Sequence, residues 1–395
     1  MKTWGAWGTP GRPEGGPRRS SIVAIIASVV FLASYLAGAS SGRSLIRDVM
    51  GEPPQEVDPA DRPQDQAALL EQIRIQVGAI RELGWKKKPS IHILPREAFA
   101  ERLRAARASD EPEPAVSDGA ILELLGLIPQ GTDYDAVEEQ LSDAQVAGFY
   151  DTETKEIVVP QGSGPVGARS LMTLAHELEH ALVDQHFRFG ERFDELAEQD
   201  RDEDAAALRA LVEGDARLVE YAWADRHLTS EEVLTAMLGG DDDEGRPSIP
   251  DDVPSFLLEA SAFPYKAGRD FVRHLHRAGG FVAVDQAFRE PPRSTSEILH
   301  PELYPLPAEP EAVPLPDPAP AGCRTERSGV LGEWEMREVL EVQPSATAAA
   351  AAVAGWRGDA FGMVRCGSKL GMVQRWRAAD EAAATRFAEA AVLWA

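Results

Sequence analysis

The stretch Ser170-Leu171-Met172-Thr173-Leu174-Ala175-His176-Glu177-Leu178-Glu179-His180-Ala181-Leu182-Val183-Asp184-Gln185-His186-Phe187 decides how this chain is read. It contains no Pro or Gly. Leu171, Leu174, Leu178, Ala181 and Leu182 recur at helical spacing, so it predicts a helix that buries one face and presents the other. His176 and His180, four apart, fall on one face, and both imidazoles reach a single metal ion. Glu177 lies about 100° round the helix from His176. That places it beside the metal rather than on it, where a general base for water belongs. The bland alternative is a surface helix with two ordinary histidines and solvated glutamates.

A catalytic zinc site uses three protein ligands and leaves a position for water, whereas a structural site is closed by four. The cysteines, Cys323 and Cys366, are distant and form no C-x-x-C pair, so a closed Cys/His site does not fit. The best third ligand is Glu213, in a second predicted helix from about Asp204 to His227. It falls among Leu208, Leu211, Val212, Val219 and Ala222, and a carboxylate on such a face is costly unless paired or metal-bound. Gly214 beside it would let two helices approach closely. His186, Asp215 and Glu220 are rival ligands, although His186 stands nearly three turns beyond His176 and requires the helix to end early. Asp184, one turn after His180, reads either as an acceptor for a ligand imidazole or as an ordinary exposed carboxylate.

H-E-x-x-H followed by a helix carrying Glu213-Gly214-x-Ala216 resembles the gluzincin zinc metallopeptidases. The run Glu177 to Phe187 is also similar to actinobacterial envelope proteins that carry a metallopeptidase-type domain. The likeness spans roughly residues 68–305 and is specific only at the motifs. It implies a mainly helical zincin-like domain in which His176, His180 and Glu213 bind Zn²⁺ and Glu177 is the base. It further implies a strand ahead of the motif helix, at about 147–160, whose edge pairs with extended substrate. Many gluzincins continue the second helix as E-x-x-x-D, but the residue four after Glu213 is Arg217. The carboxylate supporting a ligand His would then come from Asp215 or Asp184, or be absent.

Around these motifs, Ala147–Asp151 and Ile157–Pro160 read as strands about a polar turn, and Ile91–Leu94 as another. Ala67–Leu83 and Arg96–Ala108 read as helices. Gly239–Pro254 reads as a solvated loop without calcium-loop spacing. Lys266–Ala278 reads as a helix capped by Gly279-Gly280. Tyr265 and His300 are the candidate donors to an oxyanion, each weighed against a structural role. His274 and His276 carry no assigned role.

Ile22–Ala39 is an apolar run preceded by Lys2, Arg12, Arg18 and Arg19. It reads as a membrane anchor, with a cleaved secretory signal ending at Ala37-Gly38-Ala39 as the alternative. Both place the catalytic part outside the cytoplasm, where Cys323 and Cys366 would pair. The Pro-rich Pro305–Pro320 reads as a spacer. Beyond it, strands around Met336–Val342, Gly362–Cys366 and Gly371–Trp376, a helix at 345–354 and a final helix at Ala378–Leu393 make a small α+β domain, with Trp356 and Trp376 in its core. The expected organisation is a leader (1–21), the apolar segment (22–39), a linker (40–66), the metallopeptidase domain (67–304), the spacer (305–320) and the C-terminal domain (321–395), α+β overall.

With 65 acidic and 40 basic residues the net charge is −25, which disfavours nucleic-acid binding. The function expected is hydrolysis of a peptide or protein substrate by zinc-activated water, Glu177 taking the proton and returning it to the leaving amine. The alternatives are a zinc-bearing cell-envelope binding protein without turnover and a hydrolase of non-peptide substrates.

Overall fold

The computed structural model describes residues 25–29, 58–107, 115–161, 166–238, 248–304, 310–315, 322–341 and 346–394. The chain is α+β, as its sequence predicts. Along it come β1 (Ile25–Val29), α1 (Gln66–Arg81), β2 (Ser90–Leu94), α2 (Arg96–Arg107), α3 (Asp118–Leu124), α4 (Tyr134–Gln145), β3 (Val146–Asp151) and β4 (Glu156–Pro160). Then follow α5 (Ala168–Phe187), α6 (Phe189–Glu198), α7 (Asp202–His227), α8 (Ser230–Leu238), α9 (Ser255–Arg289) and α10 (Thr295–Leu299). The C-terminal module holds β5 (Cys323–Gly329), α11 (Gly332–Glu341), α12 (Ala346–Val353), β6 (Trp356–Cys366), β7 (Lys369–Ala378) and α13 (Glu381–Trp394).

Helix α5 lies at the centre. Residues Leu171 to Asp184 are buried on every side, not on one face only, because α1, α7, α8 and the β3–β4 hairpin all pack on it. The hydrophobic stripe meets the main core of Ile73, Tyr150, Ile157 and Leu211, and the histidine face meets α7. The α7 helix crosses α9 with backbone against backbone. A Cβ on Gly214 would overlap the Gly268 carbonyl, and one on Gly268 would overlap that of Ala210. The glycine noticed beside Glu213 therefore does allow the close approach. Helix α9 starts at Ser255, earlier than expected, and carries Pro264 inside it. At Gly279-Gly280 its dihedrals leave the helical range, Gly280 having φ 63°, and the chain then resumes a helical course to Arg289.

The first sheet has the order β1-β3-β4-β2. β3 pairs antiparallel with both β1 and β4, and β4 runs parallel to β2. Neither strand of the hairpin thus presents a free edge. The expected membrane anchor is also corrected here. Among the described residues no helix is long and apolar enough to cross a membrane. Ile25–Val29 instead pairs with β3, Ile25 opposite Asp151 and Val29 opposite Val146. Its β-branched Ile25, Ile26 and Val29 favour an extended backbone. The remainder of 22–39, the leader before it and most of the linker lie outside the described residues.

The second sheet is antiparallel, β5-β6-β7, and the disulfide Cys323–Cys366 joins directly opposed residues of β5 and β6 with Cα atoms 4.3 Å apart. Met336–Val342, expected as a strand, belongs instead to α11 up to Glu341. Met336, Val339 and Leu340 recur three and four apart, and all three are buried on one side of the helix. The core of the module is shared. Leu331, Met336 and Met363 pack with Phe256 and Leu257 of α9 and with Ile121 and Leu141 of α3 and α4. Residues 305–309 and 316–320 of the spacer lie outside the described residues; between them, Glu311 N donates to Arg357 O on β6 at 2.6 Å.

Candidate metal centre

His176 and His180 project from α5 towards Glu213 on α7, and all three are fully buried. The rings stand edge to face, with centroids 4.6 Å apart. Glu213 Oε2 is 3.2 Å from His176 Nε2 and 3.5 Å from His180 Nε2. Two donors held about 2.0–2.1 Å from one zinc ion at the tetrahedral angle stand about 3.3 Å apart, so these separations suit a common ion. One donor atom from each residue lies within 4.8 Å of the others. Neither ring nitrogen of His180 has a hydrogen-bond partner, an expensive state for a buried imidazole and one that a cation at Nε2 would relieve. The residues present therefore fit a zinc ion.

Two of the three candidate ligands, His176 and Glu213, are held from behind. Glu220 Oε2 lies 3.0 Å from His176 Nδ1, and Arg217 Nη1 donates to both oxygens of Glu220 at 2.8 and 3.0 Å. Glu220, one of the rival ligands, is thus the carboxylate that orients His176. Arg217, which stands where E-x-x-x-D would place an acid, anchors that carboxylate. Tyr265 Oη donates to Glu213 Oε1 at 2.9 Å, leaving Oε2 towards the histidines. Glu179, between the motif residues, sits 3.5 Å from His180 Nδ1. It faces Arg81, which is fully buried and donates to Asp215 Oδ2 at 2.7 Å.

The charges follow from this packing. Burial alone would push the His176 imidazole down, but the hydrogen-bonded carboxylates of Glu213 and Glu220 outweigh it and hold it up at about 9. Burial pushes His180 down to about 4, with the neighbouring His176 charge adding to it. Burial likewise opposes the Glu213 charge, yet the two imidazoles hold that carboxyl well below its ordinary value.

The other sequence candidates lie in different surroundings. Asp184 is buried but accepts from Tyr150 Oη, Lys155 Nζ and Gly190 N, tying α5 to β3 and α6 rather than supporting an imidazole. Asp215 belongs to Arg81. The α5 helix runs through to Phe187, and His186 turns its Nε2 to Gly84 O at 2.7 Å. His300 is engaged with Glu333 of the C-terminal module at 2.7 Å, not with the centre. Tyr265 does reach the centre, as a partner of Glu213. Glu177 is fully buried on the same turn as His176.

A family described as a domain of unknown function, DUF8575, matches residues 321–394, the C-terminal module. No curated protein and no solved structure matches the chain.

Proposed function

We propose that the protein is a zinc-dependent metallopeptidase of the gluzincin type. The observation that carries this is the convergence of two imidazoles from α5 and one carboxylate oxygen from α7 at ligand spacing, with Glu177 on the same turn of α5. Three donors, rather than four, correspond to a catalytic set. A zinc ion held by His176, His180 and Glu213 would supply Lewis-acid chemistry, polarising a peptide carbonyl and lowering the pKa of water towards about 7. Glu177 accepts the proton of the attacking water and delivers it to the leaving amine. Glu220, backed by Arg217, draws the proton of His176 to Nδ1 and leaves Nε2 as the donor. Tyr265 fixes the rotamer of Glu213.

Burial of all three donors supports a second reading, in which the metal joins α5 to α7 without turnover. One experiment separates the two. Zinc content and hydrolysis of a denatured-protein and peptide library are measured for wild type, Glu177→Gln and Glu213→Ala. Wild type should bind zinc and cleave, Glu177→Gln should bind zinc and not cleave, and Glu213→Ala should lose zinc. Full activity in Glu177→Gln overturns the mechanism. Zinc-loaded wild type without turnover favours the metal brace.

A further inference from the structure

Arg81 and Arg217 are bonded to acids around the candidate centre, whereas two other arginines are bonded to nothing among the described residues. Arg107, the last residue of α2, and Arg209, on α7, are both half-buried. Among the described residues neither has a hydrogen bond or an ion pair, and the Nε of Arg209 is itself buried without a partner. They are close enough for each charge to act on the other. Burial pushes the Arg107 guanidinium down, and the positive charge of Arg209 adds to that against the pull of Glu138. Acids face the pair, but none is bonded to it. Burial pushes the Glu138 carboxyl up while the charges of Arg107 and Arg209 both draw it down, so Glu138 faces the pair without a bond to either; Asp143 sits 3.9 Å from Arg104, and Glu139 acts on Arg107 only through space. Two like charges partly withdrawn from water without a bonded counter-ion are unfavourable until an anion arrives.

The pair also stands in the right place. Arg209 precedes Glu213 by four residues, one turn or about 6 Å along α7, on the same stripe of the helix. Its charge is felt by Tyr265, whose hydroxyl donates to Glu213. The ligands are fully buried, while Arg209, one turn away, reaches solvent.

We propose that Arg107 and Arg209 form an anion subsite beside the metal centre that receives a carboxylate of the peptide substrate. Guanidinium matches carboxylate with paired N–H donors, and incoming negative charge relieves the repulsion between the two arginines. The identity of the ligand as a peptide rests on the metallopeptidase reading. The carboxylate is either the C-terminus of the peptide or an Asp or Glu side chain beside the scissile bond.

The test uses the full chain, zinc-loaded and carrying Glu177→Gln, so that binding is read by calorimetry without turnover. The probes are three N-acetylated hexapeptides: one neutral with a free C-terminus, one amidated with a central Glu, one amidated and neutral. At least one carboxylate peptide should bind about tenfold or more tighter than the neutral one, and which one does so identifies the source. Arg107→Gln or Arg209→Gln should remove that preference with zinc content unchanged, and Arg209→Lys should restore part of it. The three-peptide comparison needs no arginine variant and stands even if those variants fold poorly. Equal binding of all three peptides, no binding of any, or a preference that survives both Gln variants overturns the subsite. Turnover of the same peptides by wild type is scored separately. A carboxylate preference without hydrolysis overturns the peptidase reading and leaves the subsite in place.

Discussion

Arg81 and Arg217 sit behind the candidate metal centre, Arg209 stands one turn before Glu213 on α7 with Arg107 within reach of its charge, and the two pairs differ in what they hold. Arg81 is fully enclosed, donating to Asp215 and Asp285 at 2.7 Å each and lying over the ring of Phe281. Arg217 grips Glu220 and lies over the ring of Tyr265. Arg217 steadies a carboxylate that faces His176, and Arg81 is bonded to Asp215 and Asp285, so both charges are matched inside the fold. Among the described residues the outer pair has no bonded carboxylate, only the charge of Glu138 nearby. Chemically identical side chains within one site thus divide into those that shape it and those left facing outward. Burial alone does not sort them; the bonded partner does.

That division can be broken at either end. The largest effect belongs to Arg81→Met, which leaves Asp215 and Glu179 enclosed without their cation. It should cost about 3–5 kcal/mol in urea unfolding. A loss below about 1 kcal/mol would show that the inner network is not structural. Glu220→Gln should weaken zinc binding by about 10–100-fold in chelator competition while the unfolding midpoint moves little, since the carboxylate acts through His176. Unchanged zinc affinity would remove Glu220 from the centre. The smallest effect is that of Arg209→Gln on stability, expected within about 0.5 kcal/mol of wild type in the same unfolding experiment, because no bond is lost. A large destabilisation there would move Arg209 into the inner class.

Much of the candidate centre was legible because its parts are local. His176, Glu177 and His180 share a turn and a half of one helix, and Glu213 stood out as a charge on an apolar stripe. The support behind them was not legible, because it depends on how α5 and α7 cross. Glu220 is two turns beyond Glu213 and meets His176 only through that crossing; the nearer acids, Asp184 and Asp215, are claimed by Lys155 and Arg81. The bond from the Tyr265 hydroxyl to Glu213 was not legible either, since nothing local shows that the two meet. In the fold, the long α5 and α7 and the β3–β4 hairpin announced themselves by period. The short α3, α6 and α8 carry too few turns to do so, and α11, of ten residues, shows its helical spacing only at Met336, Val339 and Leu340. The apolar N-terminal run was read by length and hydropathy, which do not distinguish a spanning helix from a segment containing a β-strand.

The contact of Gly214 with Gly268 bears on how far this site tolerates change. Where main chains touch, no side chain lies between them to absorb an adjustment. The count of residues from Ala210 to Glu213 therefore matters more than their chemistry. Adding or deleting one would turn Glu213 by about 100° about the axis of α7 and carry its carboxylate off the histidines, whatever residue was used. Redesign of this centre has freedom in composition and almost none in length.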